Sequence, residues 1–141
     1  MRTDTIFGIL KTQIKTQYTG LNVGEYGSTK LHLPVIEILV SQDSQEPVCW
    51  DLQKKIYTVT LSLVTGTTND RQLERESLKK LEALVEYIEE YGITDGTTDI
   101  VGGEDIVFGG IAEGEEMDQD KIYNRYETSC TFYIDEVRIS E

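Results

Sequence analysis

"NDRQLERESLKKLEALVEYIEEYG", residues 69–92, is the stretch whose reading decides the fold. Asn69 has the side chain of a helix N-cap. Gln72 stands three residues on, where a capping-box partner reaches back to the cap's own N–H. Leu78, Leu81, Leu84, Val85 and Ile88 recur at three- and four-residue steps, which draws one apolar stripe along one helical face. Gly92 follows Tyr91 directly, where a helix ending in the left-handed conformation favours glycine. Most of such a helix's stability comes from burying its stripe, so the flanking chain must supply an apolar surface.

Working outward, residues 55–64 supply that surface. Tyr57, Val59, Leu61 and Leu63 alternate with Thr58, Thr60 and Ser62, the period of a half-buried antiparallel strand. Only "TGTTN" separates this strand from the helix, so the two are expected to be neighbours in space. Strand character returns from Lys121 to Val137, where Cys130, Phe132 and Ile134 alternate with Thr131, Tyr133 and Asp135. Upstream, "LHLPVIEILV" (31–40) is rich in branched residues and only weakly alternating. That pattern fits a strand covered on both faces, with Pro34 near its start or on an edge. Ser41 to Pro47 reads as a polar turn region, and Val48 to Trp50 as a short strand or plug.

At the N-terminus, Ile6, Ile9, Leu10, Ile14 and Tyr18 make a second, narrower helical stripe from about Asp4 to Tyr18, with Lys11, Gln13, Lys15 and Gln17 off it. Residues 19–30, with Gly20, Gly24 and Gly27, read as a loop. Seven of the 12 glycines lie between Gly92 and Gly114, so residues 93–120 are expected to form a glycine-rich acidic loop or a loose hairpin. The sum is an α+β fold, a mostly antiparallel sheet with an amphipathic helix packed across it and an N-terminal helix. With 141 residues and no long linker, residues 1–141 read as one domain.

A hydrophobic content of 38%, 28% charged residues and two prolines describe a folded chain rather than a disordered one. Neither a secretory leader nor an apolar run long enough to span a membrane is expected. Cys49 and Cys130 both stand among apolar neighbours and read as reduced packing residues. The net charge of −13 is concentrated in one place. Leu81 to Asp120 contains half of the 26 acidic residues and no lysine or arginine, so the rest of the chain is neutral. A one-signed acidic block repels nucleic acid and excludes a module that grips phosphates, while the plain role of such a block is a solvated face.

No catalytic motif stands out. The single histidine, His32, lacks partners at metal-ligand spacing and reads as structural, and a Cys49–His32 nucleophile pair rests on residue type alone. Gly102-Gly103 and Gly109-Gly110 fit neither the dinucleotide fingerprint nor the P-loop, and no lysine stands nearby. Asp95, Asp99, Glu104 and Asp105 are hard oxygen donors of the kind calcium takes, but their spacing is not that of an EF-hand. Neither a cofactor nor a metal is expected, and an enzyme built on convergent acids such as Asp95, Asp99 and Glu104 is the least favoured reading.

The layout resembles the tail-terminator (tail-completion) proteins of long-tailed bacteriophages. The resemblance rests on the N-terminal amphipathic helix, "VIEILV", "KKIYTVTLSLV", the capped helix of residues 69–92 and the closing "YETSCTFYIDEV", and it covers most of the chain. It is a likeness of pattern and size, without a diagnostic signature. It implies a non-enzymatic virion protein, present in the host cytoplasm during assembly and at the head-proximal end of the tail. Six copies would form a ring that caps the tail tube and meets the head connector, with DNA only passing through. Under this resemblance the acids Asp95, Asp99, Glu104, Asp105, Glu113, Glu115, Glu116 and Asp118 are expected to face the channel or a partner. Ile106, Val107, Phe108 and Tyr133 are expected at subunit contacts. Another head–tail or tail-tube component, or a small acidic adaptor domain, are the alternatives.

Overall fold

A computed structural model of the chain describes residues 3–18, 22–25, 34–49, 52–66, 71–94, 99–118 and 121–137. The elements in chain order are α1 (Thr3–Gln17), β1 (Asn22–Glu25), β2 (Val35–Cys49), β3 (Leu52–Gly66), α2 (Arg71–Tyr91), β4 (Ile93–Thr94), β5 (Asp99–Val101), a 3-10 turn (Gly103–Asp105), β6 (Ala112–Asp118) and β7 (Lys121–Val137). The main sheet has five strands in the order β1-β2-β3-β7-β6, and β4 and β5 form a small separate hairpin. All pairings in the main sheet are antiparallel except that of β1 with β2. This is the expected α+β architecture.

The two stripes read from the sequence meet in one core. Ile6, Leu10 and Ile14 of α1 and Leu81, Leu84 and Ile88 of α2 are buried with Ile36, Ile38, Tyr57, Val59, Leu61, Leu63 and Phe132 of the sheet. Leu78, Val85, Ile9 and Tyr18 pack against its rim. Tyr57 and Phe132, partners in the β3–β7 register, stack with ring centroids 6.0 Å apart. Burying a side chain of this size is worth about 1.5–3 kcal/mol, so these residues carry much of the favourable side of folding. Asn69 lies outside the described residues. At the other end of α2, Gly92 has φ 75°, and its N–H donates to Ile88 O at 2.7 Å. The helix thus stops in the left-handed conformation that its glycine allows.

Three expectations need correction. Residues 41–47 are strand rather than turn: β2 runs on to Cys49 by pairing with β3, with register shifts at Gln42/Ser44 and Pro47/Cys49. Backbone pairing with β3 overrides the polar local composition, with Gln45 and Glu46 opposite Lys55 and Lys54, and Pro47, which has no N–H, sits at one of the irregularities. Residues 22–25 form a strand inside the expected loop, held by parallel pairing to Val35–Ile38. Gln13, placed off the apolar stripe of α1, is nonetheless buried: its amide donates to Gly92 O at 2.8 Å, and Thr94 N–H donates to Gln13 Oε1 at 3.4 Å. It ties the first helix to the chain leaving the second.

Candidate functional site

The acidic segment is largely built into the fold. The chain passes from β4 and β5 to the 3-10 turn, whose Gly103 lies so close under the end of α2 that a Cβ there would come within 2.4 Å of Glu89 O. Ile106 then enters the core. Phe108 bridges to Cys130, Gly109 N–H donates to Ser129 O at 2.9 Å, and Thr128 Oγ1 donates to Gly109 O at 2.9 Å. From Ala112 the segment pairs with β7 through Asp118. It is an edge strand stitched along β7, so of the two expected forms, loop or hairpin, these residues take the hairpin.

The candidate residues separate accordingly. Ile106 and Phe108 are 2% and 8% exposed and pack within the chain's own core, so their assignment to subunit contacts is withdrawn. Burial against Cys130 and the sheet satisfies them without a partner. Val107 and Tyr133 are 74% and 56% exposed. Glu104 and Asp105 sit exposed on the 3-10 turn, and Glu113 and Glu115 are exposed on β6. Asp99, Glu116 and Asp118 lie on described strands, with side chains outside what the structure describes; Asp95 and His32 lie outside the described residues altogether. Among the described residues no group of three or more His, Cys, Asp or Glu side chains is placed to hold a metal ion. No described helix is long and apolar enough to cross a membrane.

Sheet order makes β6 one margin of the sheet, and among the described residues nothing pairs with its outer side. Met117 on β6 and Ile122 on β7, partners in register, are both exposed there. At the opposite margin β1 covers β2 only as far as Ile38. Beyond that point an open groove of about 300 Å3 runs beside the strand, lined by Thr3, Asp4, Phe7, Glu25, Ile38, Leu39 and Val40. Lys11 lies over the Phe7 ring, 5.9 Å from its centroid. Among the described residues these two edges lack a strand partner, and unpaired strand N–H and C=O groups are templates that can take up another chain.

The sheet face turned away from the helices is polar. Thr58 and Thr131 hydroxyls lie 3.1 Å apart, Thr60 and Ser129 hydroxyls 2.9 Å apart, and Lys54 Nζ stands 4.6 Å from the centre of the Tyr133 ring. Ser62 Oγ donates to Glu127 Oε1 at 2.9 Å. At one end of this face Arg125 Nη2 and Glu37 Oε1 form an ion pair of 2.7 Å, with the Glu37 side chain fully buried. Arg125 and Glu127 also line a small cleft of about 150 Å3 with Ala112, Glu113, Gly114 and Glu115 of β6. The pair bridges β2 to β7 across β3 and clamps the register of three strands, a structural task. Glu37 escaped the sequence reading; its signal was one charge inside the apolar run "VIEILV". Cys130 is no nucleophile: burial pushes its thiol up to about 12, so it stays protonated at neutral pH.

No protein-family model matches the chain, and no curated protein matches it.

Proposed function

We propose that this chain is a structural, ring-forming subunit of a long-tailed bacteriophage virion, a tail terminator that caps the tail tube and meets the head connector. The observation that carries the reading is the pair of sheet margins that no described strand fills, β6 on one side and β2 beyond Ile38 on the other. A surface with two different open edges supports head-to-tail association, which generates a closed ring when the rotation between copies returns to its start. The resemblance of element order and length supplies the virion context. In this reading the chain works by shape and association, and the acids of β6 and the 3-10 turn keep a passing DNA duplex from adhering, since like charge with phosphate is repulsive.

Light scattering coupled to gel filtration tests the reading. The expected result is a hexameric mass, for the chain alone or on addition of tail-tube protein. A strict monomer in the presence of the tube protein overturns it.

A further inference from the structure

The end of α2 gathers aromatic rings and unbalanced negative charge. Tyr87 and Tyr91 have ring centroids 5.0 Å apart, and Tyr18, at the exit of α1, meets Tyr87 edge-on at 6.4 Å. Tyr18 and Tyr87 are half-buried against the rim of the core, which fixes them in place, while Tyr91 is 57% exposed. Glu86 and Glu90, both exposed, flank the rings on α2. The acids reach the rings electrostatically: the pKa of the Tyr18 hydroxyl is raised by burial first, then by Tyr87 and Glu86.

Three separate effects favour a cation at this place. The negative end of the α2 macrodipole lies here, and the last turn holds no basic residue. Glu86 and Glu90 repel each other at four-residue spacing, and among the described residues neither is in an ion pair. Glu89 shares their turn, and Glu104 and Asp105 sit exposed on the 3-10 turn whose Gly103 lies under Glu89 O and Glu90 O. Lys15 in the last turn of α1, and Lys80 about two turns back on α2, are the nearest basic residues along the two helices, too few to balance these five acids. The third effect is the ring quadrupole, whose negative face attracts a cation. Among the described residues, cations stand over the rings of Phe7 and Tyr133 but over none of these three.

We propose that Tyr18, Tyr87 and Tyr91, with Glu86 and Glu90, form a docking site for an arginine presented by a basic segment of a different protein. The planar guanidinium stacks on an aromatic ring and forks onto a carboxylate at the same time, which an ammonium group does less well. The rings also give the partner apolar contact area, which a merely solvated acidic face lacks. A second copy of this chain is a poor occupant, because two chains of net charge −13 repel each other. Nucleic acid is repelled by the same acids. The site is built on the two helices and uses neither open strand edge, so it is independent of the ring reading.

NMR titration of the full chain with a capped Gly-Arg-Gly-Arg-Gly peptide at low salt tests the proposal. Saturable shift changes should be largest at the rings of Tyr87 and Tyr91, and the same peptide with lysine for arginine should bind more weakly. Tyr91→Leu leaves the net charge unchanged and should weaken binding roughly fivefold through loss of the ring. Glu86→Gln with Glu90→Gln should weaken it by a similar factor, whereas Glu113→Gln with Glu115→Gln, which removes the same charge from β6, should leave it within about twofold. Circular dichroism checks that each variant keeps its helix content. Three results overturn the proposal: no saturable change at the rings, a Tyr91→Leu variant that binds as tightly as the parent chain, or equal weakening in the two double variants. The last would mean that the peptide is held only by the general negative field.

Discussion

Gly92, Gly103, Gln13 and Glu37 each hold a position set by a close approach or a bond to a distant part of the chain. At Gly92 a Cβ would meet Val101 O at 2.2 Å on top of a backbone φ of 75°, and the left-handed conformation alone costs an L-residue about 1–2 kcal/mol. Gly92→Ala should therefore lower unfolding free energy in denaturant melts by more than 2 kcal/mol or so. Glu37→Ala leaves Arg125, whose side chain is 11% exposed, without its carboxylate. Breaking a buried pair from one side costs about 3–5 kcal/mol. Replacing Glu37 and Arg125 together with apolar residues of similar size should recover most of that loss in the same melts, since no uncompensated charge then remains.

Cys130 adds a pH signature. Its folded pKa is raised from 9.0 to about 12, chiefly by burial. The sign follows from linkage: a raised folded pKa contributes stability that is complete below the unfolded value and is lost as pH climbs from there toward the folded one. One proton corresponds to about 1.4 kcal/mol per pH unit. Above about pH 9, where the unfolded thiol ionises, stability should therefore fall less steeply in Cys130→Ala than in the parent chain. Contributions common to both proteins cancel in the difference.

At the scale of elements, α2 holds its place through tertiary packing, since its outer face works against it. Glu86→Lys with Glu90→Lys turns the Glu82–Glu86 repulsion into attraction and places cations near the C-terminus, while a like-charge pair remains at 86 and 90; the favourable changes are each worth about 0.3–1 kcal/mol at low salt. The melting temperature of the double variant should rise, and the gain should shrink as salt is added; a fall would show that these glutamates contribute to folding. The stripe of α2 and the period of β3 and β7 were legible because residues three, four or two apart share a face whatever lies beyond them. β1 was not legible: four residues containing a glycine become a strand only because Val35–Ile38 offer an edge. The polar half of β2 escaped for the same reason, with its partner strand, rather than its own composition, holding it extended.

At the scale of the whole molecule, the acidic block tests the conduit idea. Under the tail-terminator proposal, virions carrying Glu104→Gln, Asp105→Asn, Glu113→Gln, Glu115→Gln and Glu116→Gln should assemble but eject DNA more slowly, measured as the rate of genome release. Unchanged release means that these acids are only a solvated face. The block was visible in the sequence as a run of one sign, but its division was not. Ile106 and Phe108 share the segment with Val107, and only the path along β7 turns two of them inward and the middle one out.

By itself the sequence determined the two helices, the alternating strands, the α+β class, the glycine stop at the end of α2 and the one-sided charge. Each depends on periodicity or on a conformation intrinsic to one residue. Tertiary structure decided the rest: the parallel β1, the extension of β2, the burial of Gln13 and Glu37, and the conversion of a glycine-rich segment into an edge strand. Those outcomes depend on hydrogen-bond partners and buried surfaces supplied from far along the chain. Gln13 shows the distance involved, since the carbonyl it serves, at Gly92, is 79 residues away.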